Sequence, residues 1–93
     1  MTSQKYDHGK PDWSLVPLDT IEHIARVLSF GAQKYERNAW QSLPDFNERY
    51  FAALMRHLSA WQRGELTDEE SGLPHLAHAL TNAMFLLWNE SQP

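Results

Sequence analysis

Apolar residues recur at helical spacing in three stretches of the chain, and the punctuation between them is short. After Pro17 and Asp19, the positions Ile21, Ile24, Ala25, Leu28, Ala32 and Tyr35 fall three or four apart. They predict a helix over about residues 18–37 with one apolar face. Gly31 lies inside that helix at a cost of about 1 kcal/mol relative to Ala, which predicts a compensating close backbone approach or a kink. Residues 38–44 read as a connector carrying Trp40. The next start is Asp45, three residues before Glu48, an Asp-x-x-Glu variant of the capping box. From there Phe46, Tyr50, Leu54, His57, Leu58 and Trp61 line one side of a helix over about residues 46–63, and Gly64 ends it. An acidic loop follows. Pro74 suits the first turn of a third helix over about residues 74–89. From Leu76 to Trp88 that helix is apolar nearly all round, so it belongs at the centre of the core or in a subunit interface. With no strand alternation, hairpin signal or repeat, the pattern predicts a small all-α, three-helix domain over residues 1–93, with residues 1–16 as an extended N-terminal segment.

Composition adds a constraint on how such a domain holds together. At 93 residues the chain is one domain that buries only about 60 to 65% of its unfolded surface, so a bare monomer is marginal. It has no Cys, which excludes disulfides and thiolate zinc sites and leaves packing, His/carboxylate metal binding or oligomerisation. Leu76, Leu80, Ala83 and Leu87 are expected to build a helical homo-oligomer with the functional site shared between subunits. A formal charge of −4 excludes a duplex nucleic-acid binder but admits small phosphorylated ligands, which need only a few local cations. The first residues hold no apolar signal region, and the stretch Ala83 to Trp88 is too short to span a bilayer. A cytoplasmic protein with no membrane association is expected.

The polar residues that interrupt the apolar faces are the candidates for chemistry. His75, His78 and Asn82 form one stripe on the third helix, and Glu65, Asp68, Glu69 and Glu70 crowd the loop leading into it. His57 falls on the apolar side of the second helix. If the second and third helices form a hairpin, His57, the loop carboxylates and the two later histidines converge into a set that suits Zn, Mn or Mg with open positions. Each also has a plainer reading: a single His on an apolar face is usually a hydrogen-bonded core residue, and an acidic loop is usually solvated and favours the following helix N-terminus. Among the cations, Lys34 and Arg37 suit a helix C-terminus, whereas Arg49 and Arg56, seven apart, share one side of the second helix and can clamp phosphates. Trp13 or Trp40 supplies a surface on which a base can stack. Without Cys, a serine elbow or a glycine-rich phosphate loop, any reaction is metal-assisted attack by water.

The order of the motifs resembles a known family. Asp7-x-Gly9-Lys10-Pro11, Ser14-Leu15-Val16-Pro17, Phe30-Gly31-Ala32-x-Lys34-Tyr35 with Asn38 and Trp40, Arg49-Tyr50, Arg56-His57-Leu58-x-Ala60-Trp61, Gly64-Glu65 and Asp68-x-Glu70-Ser71-Gly72-Leu73-Pro74-His75-Leu76-Ala77-His78-Ala79 are similar to the phage dATP/dGTP diphosphohydrolase N-terminal domain family. The likeness runs from about Lys5 to Trp88. It implies a phage or prophage protein, working in the cytoplasm of an infected bacterial host, that handles purine deoxynucleoside triphosphates and releases pyrophosphate with a divalent metal (Mg, Mn or Zn). It sits in the functional company of the all-α MazG-like pyrophosphatases. On this likeness Lys10, Lys34, Tyr35, Asn38, Trp40, Arg49 and Arg56 would hold the nucleotide. His57, Glu65, Asp68, Glu70, His75 and His78 would hold metal, and His57, Glu65 and Asp68 would be catalytic. The sequence departs from the MazG-like pattern in that no Glu-x-x-Glu or Glu-x-x-Asp pair lies within a helix; Glu65 to Asp68 has the second spacing but sits in a loop. That departure motivates an alternative, a non-catalytic nucleotide-binding protein that sequesters a host-defence signalling nucleotide and needs no metal.

Overall fold

The computed structural model describes residues 8–93. Of the residues discussed above, Lys5, Asp7 and the start of the extended segment lie outside that range. Three α-helices make up the described chain: α1 (Leu18–Lys34), α2 (Phe46–Gln62) and α3 (His75–Glu90). Two 3-10 turns, Trp13–Leu15 and Ala39–Ser42, precede α1 and α2, and no strand forms among the described residues beyond an isolated bridge between Thr67 and Pro74. Neither turn is a helix the periodicity could have shown, because three or four residues complete barely one turn.

α3 is the middle of the structure. α2 packs along one side of it and α1 along another, while α1 and α2 scarcely touch. The α2–α3 pair is an antiparallel hairpin: Asn89 near the end of α3 donates to Asn47 near the start of α2 at 3.1 Å. This arrangement explains why α3 lacks a polar face. His75, Ala77, Ala79, Thr81, Asn82 and Phe85 are buried, and the Thr81 hydroxyl donates to the Ala77 carbonyl at 2.8 Å so that it enters the core satisfied. One stripe of α3 stays bare: Leu76, Leu80 and Leu87 are 43, 38 and 64% exposed, and Ala83 lies among them.

Four local expectations need correction. α1 stops at Lys34, not near 37, because Tyr35 leaves helical geometry (φ −121°, ψ −119°) and Asn38 turns left-handed (φ 63°), swinging the connector back toward α3. The inward face of α1 is also rotated: Ile24, Val27, Leu28 and Phe30 are half-buried, whereas Ala25, Ala32 and Tyr35 are exposed. The capping box does not form. Asp45 precedes α2 in the left-handed region (φ 53°, ψ 44°), where its carboxylate makes no capping bond, since a side-chain cap calls for an extended backbone. Gly31 is not required by close packing either, as a Cβ there would meet nothing within 4 Å. Gly64 does end α2, with φ +94° and its amide donating to the Trp61 carbonyl at 2.9 Å.

The far end of the hairpin is held by aromatics. Trp40 stacks on Phe85 (centroids 4.3 Å apart, 17° between planes) and meets the edge of Trp88 at 4.7 Å. Tyr50 lies 4.6 Å from Phe85, and its hydroxyl donates to the Trp40 carbonyl at 2.9 Å. The connector tryptophan therefore closes the core beneath α3, and its ring faces are taken up by neighbours rather than offered to a base.

Candidate metal and nucleotide site

At the opposite end of the hairpin, where α2 gives way to the loop and the loop to α3, three histidines gather around one carboxylate. His57 comes from the inward face of α2, four residues before Trp61 at the helix end. His75 and His78 come from the first turn of α3. Asp68 comes from the loop, whose backbone closes on itself: the Asp68 amide donates to the Leu73 carbonyl and the Gly72 amide to the Asp68 carbonyl, both at 2.8 Å. Gly72 makes that closure possible in the left-handed region (φ +73°). The His75 amide donates to the Leu66 carbonyl at 2.8 Å and so fixes the start of α3 against the loop.

The contacts inside the cluster are short. His57 Nδ1 and His75 Nδ1 are 2.9 Å apart. The His57 ring lies flat on His78 (centroids 4.5 Å apart, 9° between planes). One donor atom from each of His57, Asp68 and His75 lies within 4.8 Å of the other two, a spread that a single cation can draw together. Ser71 ties the rest in place. Its amide and its hydroxyl each reach Asp68 Oδ2 at 2.9 Å, and the same hydroxyl is 2.7 Å from His78 Nε2. The Ser71 hydroxyl has one proton, which goes to the carboxylate, so His78 must donate from Nε2 to the serine oxygen. That order fixes the His78 tautomer.

Protonation follows from this crowding. Burial, followed by the neighbouring His78 and His75, lowers the His57 pKa from 6.5 to about 4, with Arg56 pushing the same way and Asp68 opposing. Burial likewise lowers His78, against Asp68 and Glu70. For Asp68, burial alone would raise the pKa, but the Ser71 bonds and the nearby histidines outweigh it and the carboxyl stays below its usual range. Near neutral pH the cluster thus presents an uncharged imidazole at His57 beside a carboxylate, the protonation that metal binding requires. Between pH 6.5 and about 4 the unfolded chain takes up a proton at His57 that the folded chain refuses, so stability falls on acidification across that window. His78 acts in the same direction below pH 6.5, and Asp68 does so only below pH 3.8. Melting temperature measured from pH 8 to pH 4 is expected to drop through that window for the wild type and to drop less for His57→Gln.

The remaining sequence candidates lie elsewhere. Glu65 pairs with Arg63 at 3.0 Å on the surface, and Glu70 with Lys34 at 2.6 Å, so neither carboxylate joins the His57–Asp68–His75 group, although the Glu70 charge acts on His78. The Lys34 ammonium also sits 5.2 Å from the centre of the exposed Tyr35 ring. Lys10 and Asn38 are exposed. Arg49 and Arg56 do share a groove, with Leu43, Ala52 and Ala53 as its floor. Glu48 and Tyr50 line it too, and none of the cluster residues does; Arg56 directly precedes His57 in α2, and its charge acts on that imidazole. Ser71 is the participant that residue-type reasoning passed over. Its signal was present in the spacing Asp68-x-x-Ser71, which suits a carboxylate that accepts from the backbone and hydroxyl three residues on.

The sequence comparisons bear on the whole chain. The family described as dATP/dGTP diphosphohydrolase, N-terminal, matches residues 1–93. The chain belongs to this family. A dATP/dGTP diphosphohydrolase of Salmonella phage PMBT28 is 42% identical over 88 residues, which is 95% of this chain and 30% of that protein. The chain therefore spans less than a third of the length of this relative. No solved structure matches it. In this chain the His57, Asp68 and His75 donors that a single ion could bridge lie at the loop end of the α2–α3 hairpin. No described helix is long and apolar enough to cross a membrane.

Proposed function

We propose that this domain binds purine deoxynucleoside triphosphates of the dATP/dGTP type and, with a divalent ion at His57, Asp68 and His75, releases pyrophosphate from them in the cytoplasm of an infected host. The observation that carries this reading is the convergence of those three side chains in a chain of this family. Arg49 and Arg56 hold the triphosphate in the groove they line on α2, with Arg56 the residue directly before His57. Water then bonds to the α-phosphorus, the bond to the bridging oxygen breaks and pyrophosphate leaves. His78, kept neutral by burial and held through its Nε2 proton to Ser71, receives the proton at Nδ1. When bound, the ion would lower the pKa of the attacking water and polarise the phosphate. Separating the nucleotides after incubation with each dNTP and a divalent ion tests this: deoxynucleoside monophosphate and pyrophosphate are expected from dATP and dGTP, and intact triphosphates throughout refute it.

One observation favours a second reading. The helix carboxylates Asp19, Glu22, Glu48 and Glu90 are exposed, none belongs to the His57–Asp68–His75 group that could hold an ion, and Glu22 is bonded to Arg26. A chain with this groove and no helix carboxylate in its candidate ion site can hold a nucleotide, such as a host-defence signal, without turning it over. Ligand retained in EDTA and recovered intact after denaturation would establish that reading in place of hydrolysis.

The bare stripe of α3 is assigned to a second copy of the chain. Leu76, Leu80, Ala83 and Leu87 follow each other at intervals of four, three and four, the spacing of a helix–helix seam, and the seam starts beside His75 so that a docked copy walls the cluster. Sedimentation equilibrium is expected to show an oligomer that Leu80→Glu with Leu87→Glu reduces to monomers; a monomeric wild type contradicts the assignment.

A further inference from the structure

We infer that the His57–Asp68–His75 cluster takes a first-row transition ion of the zinc class and not magnesium, and that this ion pins the α2–α3 loop to both helices. The inference concerns the proposed nucleotide site, but it follows from the donor atoms alone. Two imidazole nitrogens and one carboxylate oxygen are a borderline donor set that suits zinc, cobalt or nickel. Magnesium takes oxygen ligands in an octahedron and keeps its waters, so a site two-thirds nitrogen excludes it in favour of the softer ions. The arrangement of second partners supports the same choice: Asp68 Oδ2 is held by Ser71, which leaves the other carboxylate oxygen for the ion and orients it.

The His57 and His75 Nδ1 atoms face each other at 2.9 Å, so in the free protein one of them must carry the proton between them. An ion bonded at about 2.0–2.1 Å holds its tetrahedral donors about 3.3 Å apart. Binding therefore replaces the shared proton, opens the histidine pair by a few tenths of an ångström and draws in Asp68, whose donor lies within 4.8 Å of theirs. Because the three ligands come from α2, the loop and α3, the ion links segments that otherwise meet through packing, a few backbone bonds and the His57–His75 and Ser71–His78 contacts. Three protein ligands leave at least one coordination position open, which is where a phosphate oxygen or water would sit.

The test uses the full chain, stripped with EDTA, and contains no nucleotide, so its failure is separate from failure of the nucleotide reading. Zinc, cobalt(II) and magnesium are added singly, and stoichiometry, melting temperature and the cobalt(II) visible spectrum are recorded. Zinc or cobalt(II) is expected to bind at one per chain and, at a hundredfold excess over its Kd, to raise the melting temperature by about 10 °C or more. Cobalt(II) should give ligand-field bands of a site with nitrogen donors, and magnesium at the same concentration should change nothing. His57→Ala and Asp68→Asn should each lose the bands and the thermal shift, with His8→Ala retaining both. The inference is overturned by any of three results: no binding of zinc or cobalt, magnesium acting equally, or binding that survives in both His57→Ala and Asp68→Asn.

Discussion

Asp68→Ala is expected to lose pyrophosphate release by at least about 100-fold and to lose stability as well, because one carboxylate serves two purposes. It is one of the three donors that converge at the hairpin end, and it accepts both Ser71 bonds at 2.9 Å that close the loop. Leaving the Ser71 amide and hydroxyl without their acceptor in a half-buried loop costs about 1–3 kcal/mol. Asp68→Asn separates the two effects. The amide oxygen still accepts from Ser71, so most of the stability should return, while the negative charge and the activity should not. Denaturant titration and a pyrophosphate assay on the same preparations check this; activity in Asp68→Asn within about threefold of wild type would remove Asp68 from the chemistry.

Phe85→Ala has the largest expected effect on folding. Phe85 is 8% exposed, lies flat on Trp40 at 4.3 Å and touches Tyr50 at 4.6 Å, so it joins α3 to both the connector and α2. Truncating a buried Phe costs about 3–5 kcal/mol, a large share of the stability of a chain this short. At about 4–8 °C per kcal/mol, the melting temperature should fall by at least about 12 °C, or the transition should disappear. The near-ultraviolet circular dichroism of Trp40 and Trp88 should weaken with it. A melting temperature within a few degrees of wild type would show that Trp40 and Phe85 do not form the junction described.

What the sequence discloses here is what local chemistry decides. The α2 helix stops where Gly64 allows a left-handed residue, α3 starts after Pro74, and the lack of a polar face on α3 reports its position between α1 and α2. The meeting of His57 with Asp68, His75 and His78 is legible because a hairpin with a short loop brings the end of one helix to the start of the next. Events that depend on distant partners are not legible. Trp40 looks like a free stacking surface until Phe85 and Trp88, more than forty residues on, cover it. Asp45 has the spacing of a cap, but the connector enters α2 in a left-handed turn that points the carboxylate away. Glu65 and Glu70 share the acidity of the loop with Asp68, and only their pairing with Arg63 and Lys34 sets them apart from the cluster.

The most direct test of the account is phosphorus NMR of dGTP incubated with the EDTA-stripped full chain, zinc and magnesium added in turn, beside an identical sample of His57→Ala. Resonances of dGMP and pyrophosphate should grow in the wild-type sample with metal and stay at background in the variant. Unchanged dGTP in every wild-type sample, or equal turnover by His57→Ala, would contradict it.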